Sequence, residues 1–113
     1  MQILFESPDP DAAQLRDLAE RRLRFVMRRL TWLVPRARLH LSDVNGPRGG
    51  VDKRCQVELR TNSHGTVVIT AMASDWRAAL ETALARASHL LLRIWRRTRQ
   101  HPRPHQHLLV IER

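Results

Sequence analysis

Among the residue types that could bind a ligand, arginine is the most informative in this chain. Lysine and arginine number 20 against 11 acidic residues, giving a net charge of +9, and Lys53 is the only lysine. Guanidinium groups suit bidentate contacts to phosphate and stacking on bases. A genome rich in G+C would explain the choice of arginine over lysine, but it does not explain the net charge. The composition therefore favours a polyanionic partner such as nucleic acid.

The histidines and carboxylates, by contrast, do not form a catalytic or metal-binding set. Prolines prevent a helix that would align the three tail histidines on a metal ion. The other three histidines have no partner at the spacing of a catalytic triad. The tail histidines are His101, His105 and His107, and the other three are His40, His64 and His89. Asp43 and Asp52 flank a loop, where we expect a structural turn. We expect no enzyme activity, no metal site and no cofactor.

Cysteine usage and the N-terminal sequence bear on the compartment. Cys55 is the only cysteine, so an internal disulfide is ruled out and a reducing compartment is expected. Strand alternation would bury this thiol, which favours a structural role over a reactive one. The apolar run of residues 1–5 ends at Glu6 and Pro8, unlike a signal peptide, and no segment approaches the length of a membrane span. We expect a cytoplasmic protein without membrane contact.

The first third of the chain predicts a strand and a long helix. Residues 1–6 suit a short strand, and Asp9 can cap a helix that has Pro10 at its first position. This helix is predicted to continue until Pro35 stops it. Its apolar stripe consists of Leu15, Ala19, Leu23, Val26, Leu30 and Leu33. The opposite side carries Arg21, Arg24 and Arg28, with Arg22 and Arg29 at the boundary.

The remainder predicts three strands and a second long helix. Apolar residues alternate in residues 37–41, 54–61 and 67–73, with a hairpin connection at residues 62–65. Ser74 or Asp75 caps the second helix. Its apolar side consists of Trp76, Ala79, Leu80, Ala83, Leu84, Ala87, Leu90, Leu91 and Ile94, and its other side of Arg86, His89, Arg93, Arg96 and Arg97. Spacings of three or four make this second set a continuous basic ridge.

These elements predict an α+β fold with the order β-α-β-β-β-α. We expect a four-stranded sheet with two long helices on one face, an arrangement like that of double-stranded-RNA-binding domains. A chain of 113 residues has room for one domain, here residues 1–100. Residues 101–113 then form a Pro/His-rich C-terminal tail.

The loop between the second and third strands carries the most specific pattern in the chain. Residues 42–55 read Ser-Asp-Val-Asn-Gly-Pro-Arg-Gly-Gly-Val-Asp-Lys-Arg-Cys, and the three glycines could form a phosphate-binding nest. Since the Gly-Lys-Ser/Thr ending of a nucleotide P-loop is missing, we expect a strand connection that contacts RNA instead. The candidate RNA contacts of this segment are Arg48, Lys53 and Arg54.

The loop and its flanks resemble the ribosome hibernation promoting factor family, also called the sigma-54 modulation family. The loop residues that carry the resemblance are Asp43, Asn45, Gly46, Gly49, Gly50 and the Asp52-Lys53-Arg54-Cys55 run. It extends to His40-Leu41-Ser42-Asp43 before the loop, Gln56-Val57-Glu58-Leu59-Arg60 after it, and Asp75-Trp76-x-x-Ala79-Leu80-x-x-Ala83 at the second helix. The family commonly has tyrosine where Trp76 stands.

The resemblance implies a protein of the ribosome. Such a protein sits in the decoding region of the small subunit, blocks the binding of messenger and transfer RNA, and stores idle ribosomes. Family members carry their RNA contacts on basic positions of the two helices. The matching positions here are Arg21, Arg24, Arg28, Arg86, Arg93, Arg96 and Arg97, with Arg22 and Arg29 of second rank. The chain is similar to a short form, which is not expected to pair ribosomes alone.

A second interpretation depends on apolar surface. Leu92 and Trp95 are predicted to lie partly outside the core stripe of the second helix. This surface could stack on a base, contact a ribosomal protein, form a homodimer seam, or be covered by residues 108–111. It would also suit a protein-interaction module that modulates a transcription or other regulatory complex. RNA binding through the ridges would depend steeply on salt, whereas binding through Leu92 and Trp95 would not.

Overall fold

The computed structural model describes residues 1–44 and 51–100, excluding the side chains of residues 98–100. The elements of this part of the chain are β1 (Gln2–Glu6), α1 (Pro10–Ala13), α2 (Arg16–Val26), a 3₁₀ turn (Thr31–Leu33), β2 (Arg36–Asp43), β3 (Lys53–Arg60), β4 (Thr66–Ala73) and α3 (Trp76–Gln100). The predicted α+β class is confirmed. The C-terminal tail, residues 101–113, lies outside the described residues, as does the loop at residues 45–50.

The four strands form one mixed sheet in the order β1-β2-β3-β4. β1 runs parallel to β2, whereas β2, β3 and β4 pair as antiparallel neighbours. In the central register Leu39 faces Phe5 on one side and Val57 on the other, while Arg36 faces Arg60 at the end of the ladder. The sheet therefore has an apolar face and a polar face, set by the strict alternation of the strands.

The core lies between the apolar face of the sheet and the helices. The alternation predicted for the last three strands is confirmed by the buried residues Ala37, Leu39, Leu41, Cys55, Val57, Leu59, Val67, Ile69 and Ala71. Leu23 of α2 and Leu80, Leu84 and Leu91 of α3 belong to the same buried cluster. Since full burial of one such side chain contributes about 1.5–3 kcal/mol, this core, rather than surface ion pairs, holds the fold together.

The predicted continuous first helix is wrong. Asp9 does cap a helix with Pro10 at its first position, since its carboxylate accepts a hydrogen bond from Asp11 N. That helix ends at Ala13, and α2 ends at Val26, nine residues before Pro35. Thr31, Trp32 and Val34 are weak helix formers, and the proline forces Val34 into an extended conformation (φ −119°, ψ 91°), which accounts for the 3₁₀ turn before Pro35. Helix propensity does not explain why α2 already ends at Val26, since Met27, Arg28, Arg29 and Leu30 favour a helix. Leu30 and Leu33 are still buried, because a 3₁₀ turn places them inward as well as an α-helix would.

The predicted second helix is confirmed as the long α3. The Asp75 carboxylate accepts a hydrogen bond of 2.7 Å from Ala78 N, which caps its first turn. Three contacts then follow each other along the two helical segments: Arg22 with Glu81, Val26 O with Ser88 Oγ, and Trp32 with Trp95. Because both partners advance together, α2 and α3 run in the same direction, and Trp32 lies beside the C-terminal half of α3.

Candidate nucleic-acid interface

Acidic residues are missing from three long stretches of the sequence. These stretches lie between Glu20 and Asp43, between Glu58 and Asp75, and between Glu81 and Glu112. Each stretch carries basic residues, so each has an unbalanced positive charge. The fold determines whether these charges act separately or as one surface.

The three stretches meet at one end of the molecule. The ring centroids of Trp32 and Trp95 are 6.0 Å apart, which joins the 3₁₀ turn to α3. Asn62 Nδ2 donates a 2.9 Å hydrogen bond to Trp32 O, and Asn62 N donates one to Leu33 O, which joins the β3–β4 connection to the same turn. We call this region the basic end. Its exposed arginines are Arg28, Arg29, Arg36, Arg60, Arg93, Arg96 and Arg97.

Carboxylates gather at the opposite end of the sheet. Ser7 Oγ donates a hydrogen bond to Leu41 O, which brings the start of α1 to the far end of β2. That acidic end contains Asp9, Asp11, Asp43, Asp52 and Asp75. Strands of eight residues separate the two ends by about 25 Å, more than twice the Debye length at physiological salt. The carboxylates therefore do not cancel the positive potential of the basic end.

The basic positions predicted on the first helix are exposed, but they are not on one helix. Arg21 and Arg24 lie on α2, whereas Arg28 follows its last residue, Val26. The Arg28 guanidinium sits 4.4 Å from the ring centroid of Phe25, and its Nη1 donates a hydrogen bond to Phe25 O. The predicted ridge is thus an α2 pair plus a separately held guanidinium, because the helix ends before it reaches position 28.

On α3, the four predicted arginines are all exposed: Arg86, Arg93, Arg96 and Arg97. Of the two second-rank candidates, Arg29 is exposed and Arg22 is engaged elsewhere. Arg22 forms a two-pronged ion pair with Glu81 across the helix pair, with N–O distances of 2.9 and 3.1 Å. The structure thus separates Arg29, which is available to a ligand, from Arg22, which links α2 to α3.

The loop candidates are held by neighbouring residues. Lys53 Nζ lies 2.9 Å from Asp43 Oδ2 and 3.1 Å from Asp52 Oδ1. These two hydrogen bonds raise the pKa of the ammonium group, and the bond to Asp43 has the larger effect. Asp52 is fully buried, so Lys53 acts as its counter-charge. Arg54 is half-buried and donates to Gln56 Oε1. Arg48 lies outside the described residues.

Two exposed aromatic residues at or near the basic end were not predicted as site residues. Phe25 is 54% exposed and Trp32 is 58% exposed. A signal was available, since both fall outside the apolar stripe of the first helix and follow closely after arginines. Leu92 and Trp95, which were predicted to expose apolar surface, are half-buried and pack against the core. Exposed aromatic surface at this end therefore comes mainly from Trp32.

The polar face of the sheet adds two arginines, Arg36 and Arg60, that were not predicted as site residues, whereas Arg38 on the same face is ion-paired with Glu6 (3.7 Å). A cavity of about 400 Å³ opens there across β1, β2 and β3. Arg36, Arg38 and Arg60 line it together with Leu4 and Glu58. The signal lies in the strand register, since Arg36 pairs with Arg60 and Arg38 with Glu58 across neighbouring strands. This face continues the basic end, because Arg36 and Arg60 belong to both.

The described residues contain no group of three or more side chains suited to hold a metal ion. Burial raises the pKa of the Cys55 thiol to about 12, which keeps it protonated and unreactive at neutral pH. The tail histidines His101, His105 and His107 lie outside the described residues.

None of the helices in the described part of the chain is both long and apolar enough to cross a membrane.

The chain matched none of the protein-family models and none of the curated proteins with which it was compared.

Proposed function

We propose that this protein is a ribosome-associated translation regulator that binds small-subunit ribosomal RNA near the decoding region and promotes ribosome hibernation. The observation that carries the RNA-binding part is the basic end, where three stretches without acidic residues bring seven exposed arginines together. The ribosomal part rests on the resemblance of the loop at residues 42–55.

The physical basis of binding is neutralisation of phosphates. Each arginine that contacts a phosphate releases condensed counterions, so affinity is high at low salt and falls steeply as salt rises. A-form RNA presents its phosphates and 2′-hydroxyl groups across a wide minor groove, where recognition depends on shape rather than base sequence. We also propose that the fold is arranged like a double-stranded-RNA-binding domain. In this arrangement α2 and α3 run in the same direction and present their exposed arginines to the RNA.

Hibernation would follow from occupancy. A protein held by several phosphate contacts in the decoding region excludes messenger and transfer RNA by occupying their volume. No catalytic step is required, in keeping with the expectation that the chain is not an enzyme. The partner is therefore the vacant small subunit and its RNA, and Arg21, Arg24, Arg86, Arg93, Arg96 and Arg97 are the helical contacts.

Cosedimentation with vacant small ribosomal subunits at rising salt tests this proposal. We expect stoichiometric binding at low salt, and a reduced bound fraction for the variant with alanine at Arg86, Arg93, Arg96 and Arg97. A single-site control is Arg77→Ala, which removes one exposed arginine from the other end of α3 and should bind like the native chain. A chain that stays in the supernatant at low salt would rule out the ribosomal proposal.

The second candidate function is that of a protein-interaction module for a transcription or other regulatory complex, or a homodimer, through Leu92 and Trp95. Its support is the apolar surface where Trp32 joins Trp95. Salt separates the two functions, since apolar contacts weaken little as ionic strength rises. Sedimentation equilibrium of the free protein at high salt tests for the homodimer.

A further inference from the structure

Trp32 is exposed although its indole N–H and its carbonyl are both hydrogen-bonded. Its indole Nε1 donates a 3.0 Å hydrogen bond to Arg29 O, and its carbonyl accepts one from Asn62 Nδ2. The residue is nevertheless 58% exposed. Exposing so much aromatic surface is unfavourable in the free protein. A bound partner that covers the ring would recover that free energy.

The ring is held in place before any ligand arrives. Trp32 meets Trp95 edge to face, with an interplanar angle of 76°, so this contact occupies at most one face of the Trp32 ring. The hydrogen bond to Arg29 O also restrains rotation of the ring. An aromatic ring with one face open and little freedom left to lose is suited to stacking, because binding then costs little side-chain entropy.

The residues close to Trp32 in the sequence select the kind of partner. Exposed Arg28 and Arg29 precede it, exposed Arg36 follows it at the start of β2 on the polar face of the sheet, and no acidic residue occurs between Glu20 and Asp43. The centre of a protein–protein contact is usually depleted of charge, whereas single-stranded nucleic acid is bound by aromatic rings set among cationic groups. We infer that Trp32 is a stacking platform for an unpaired RNA base, with the flanking arginines holding the phosphates on either side. This rests on the proposed RNA-binding function and names the element of RNA that it recognises.

The other exposed aromatic residue makes a useful contrast. Phe25 has the Arg22 and Arg28 guanidinium groups 5.4 and 4.4 Å from its ring centroid. These cations already occupy the ring, so a base has less access to it. Phe25→Leu is therefore a matched control that removes an exposed aromatic side chain close to the same surface.

The test compares a perfect RNA duplex with the same duplex carrying one unpaired adenine, by fluorescence anisotropy at constant salt. The native protein should bind the bulged RNA more tightly than the perfect duplex. Trp32→Leu should bind the bulged RNA about fivefold to about 150-fold more weakly, which is the range for one stacked base. Its affinity for the perfect duplex should not change. Trp32→Phe should retain most of the preference, and Phe25→Leu should retain it fully. Circular dichroism melts establish that each variant is folded.

Two results would overturn the inference alone. One is equal binding of both RNAs by the native protein, and the other is a Trp32→Leu variant that weakens both RNAs equally. If the native protein binds neither RNA at low salt, the proposed RNA-binding function fails and the stacking platform fails with it.

Discussion

At the scale of single residues, Cys55 gives a direct test of the core. Its burial raises the thiol pKa from 9.0 to about 12, so about 1000-fold less thiolate is available in the folded chain than in an unfolded one near neutral pH. We expect the native thiol to react with a disulfide reagent only when the chain opens. The measurement is the labelling rate with and without denaturing urea. Rapid labelling of the native protein would contradict the packing of β3 against the helices.

Lys53 gives a second prediction at this scale, with a defined pH window. Its folded-state pKa is raised by Asp43 and Asp52, so its contribution is fully present below the ordinary lysine value of 10.5 and is lost as pH rises through the higher folded value. We expect Lys53→Met to lower the urea midpoint near pH 8, because buried Asp52 loses its counter-charge. The difference from the native protein should shrink above about pH 10.5.

Lys53→Arg is the matched control for this prediction, since it keeps the charge between the two carboxylates. It should unfold closer to the native midpoint than Lys53→Met does. A native-to-mutant difference that stays constant from neutral to strongly alkaline pH would show that the methionine acts by packing rather than by removing the charge. The thiol of Cys55 titrates in the same alkaline range but is common to all three proteins, so it cancels.

The same lysine shows what sequence reasoning could not reach for the site. Lys53 was predicted as an RNA contact because it is basic and follows a loop. The structure places it between Asp43 and Asp52, and the first of these is its partner across the β2–β3 register. Residues ten positions apart meet only once the strand pairing is fixed, so local spacing carried no sign of this ion pair. Whether Lys53 also contacts RNA stays a prediction.

At the scale of secondary structure elements, alternation was the most reliable signal. Leu39, Val57 and Ile69 are buried as their strand patterns predict, because every second residue of a strand lies on the same face of the sheet. The first helix failed because its apolar period continues through the 3₁₀ turn. Periodicity alone does not separate one 3₁₀ turn from one α-turn, and low helix propensity accounts only for residues 31–34, next to Pro35.

Helix capping gives the prediction that belongs to this scale. Asp75→Ala removes the acceptor for Ala78 N at the start of the 25-residue α3, whose buried face is part of the core. We expect a loss of about 1 kcal/mol in the free energy of unfolding, measured by urea denaturation. Asp9→Ala, which uncaps the four-residue α1, should cost less because a single helical turn adds little to the core. An Asp75→Ala variant with the native midpoint would mean that α3 does not depend on its cap.

At the scale of the whole molecule, the separation of charge is a property of topology. The stretches without acidic residues are visible in the sequence, but nothing in their spacing shows that they converge. The contact of Trp32 with Trp95 and the hydrogen bonds of Asn62 to residues 32 and 33 bring them together. A chain with the same composition and a different strand order would have the same net charge without a basic end. Net charge alone therefore predicts only a polyanionic partner, and the fold supplies the surface on which we propose that it binds.

This polarity makes a prediction that net charge alone would not. Arg93→Ala/Arg96→Ala and Arg16→Ala/Arg77→Ala each remove two exposed arginines, the first pair from the basic end and the second from the opposite half. If RNA binds at the basic end, the first variant should weaken binding to an RNA duplex. It should also reduce the slope of log affinity against log salt by about 1 for each phosphate that is no longer neutralised. The second variant should leave the slope within error of the native value, because its arginines lie more than a Debye length from the bound phosphates. Equal effects of the two variants would show that the protein attracts RNA through its net charge, with no preferred end.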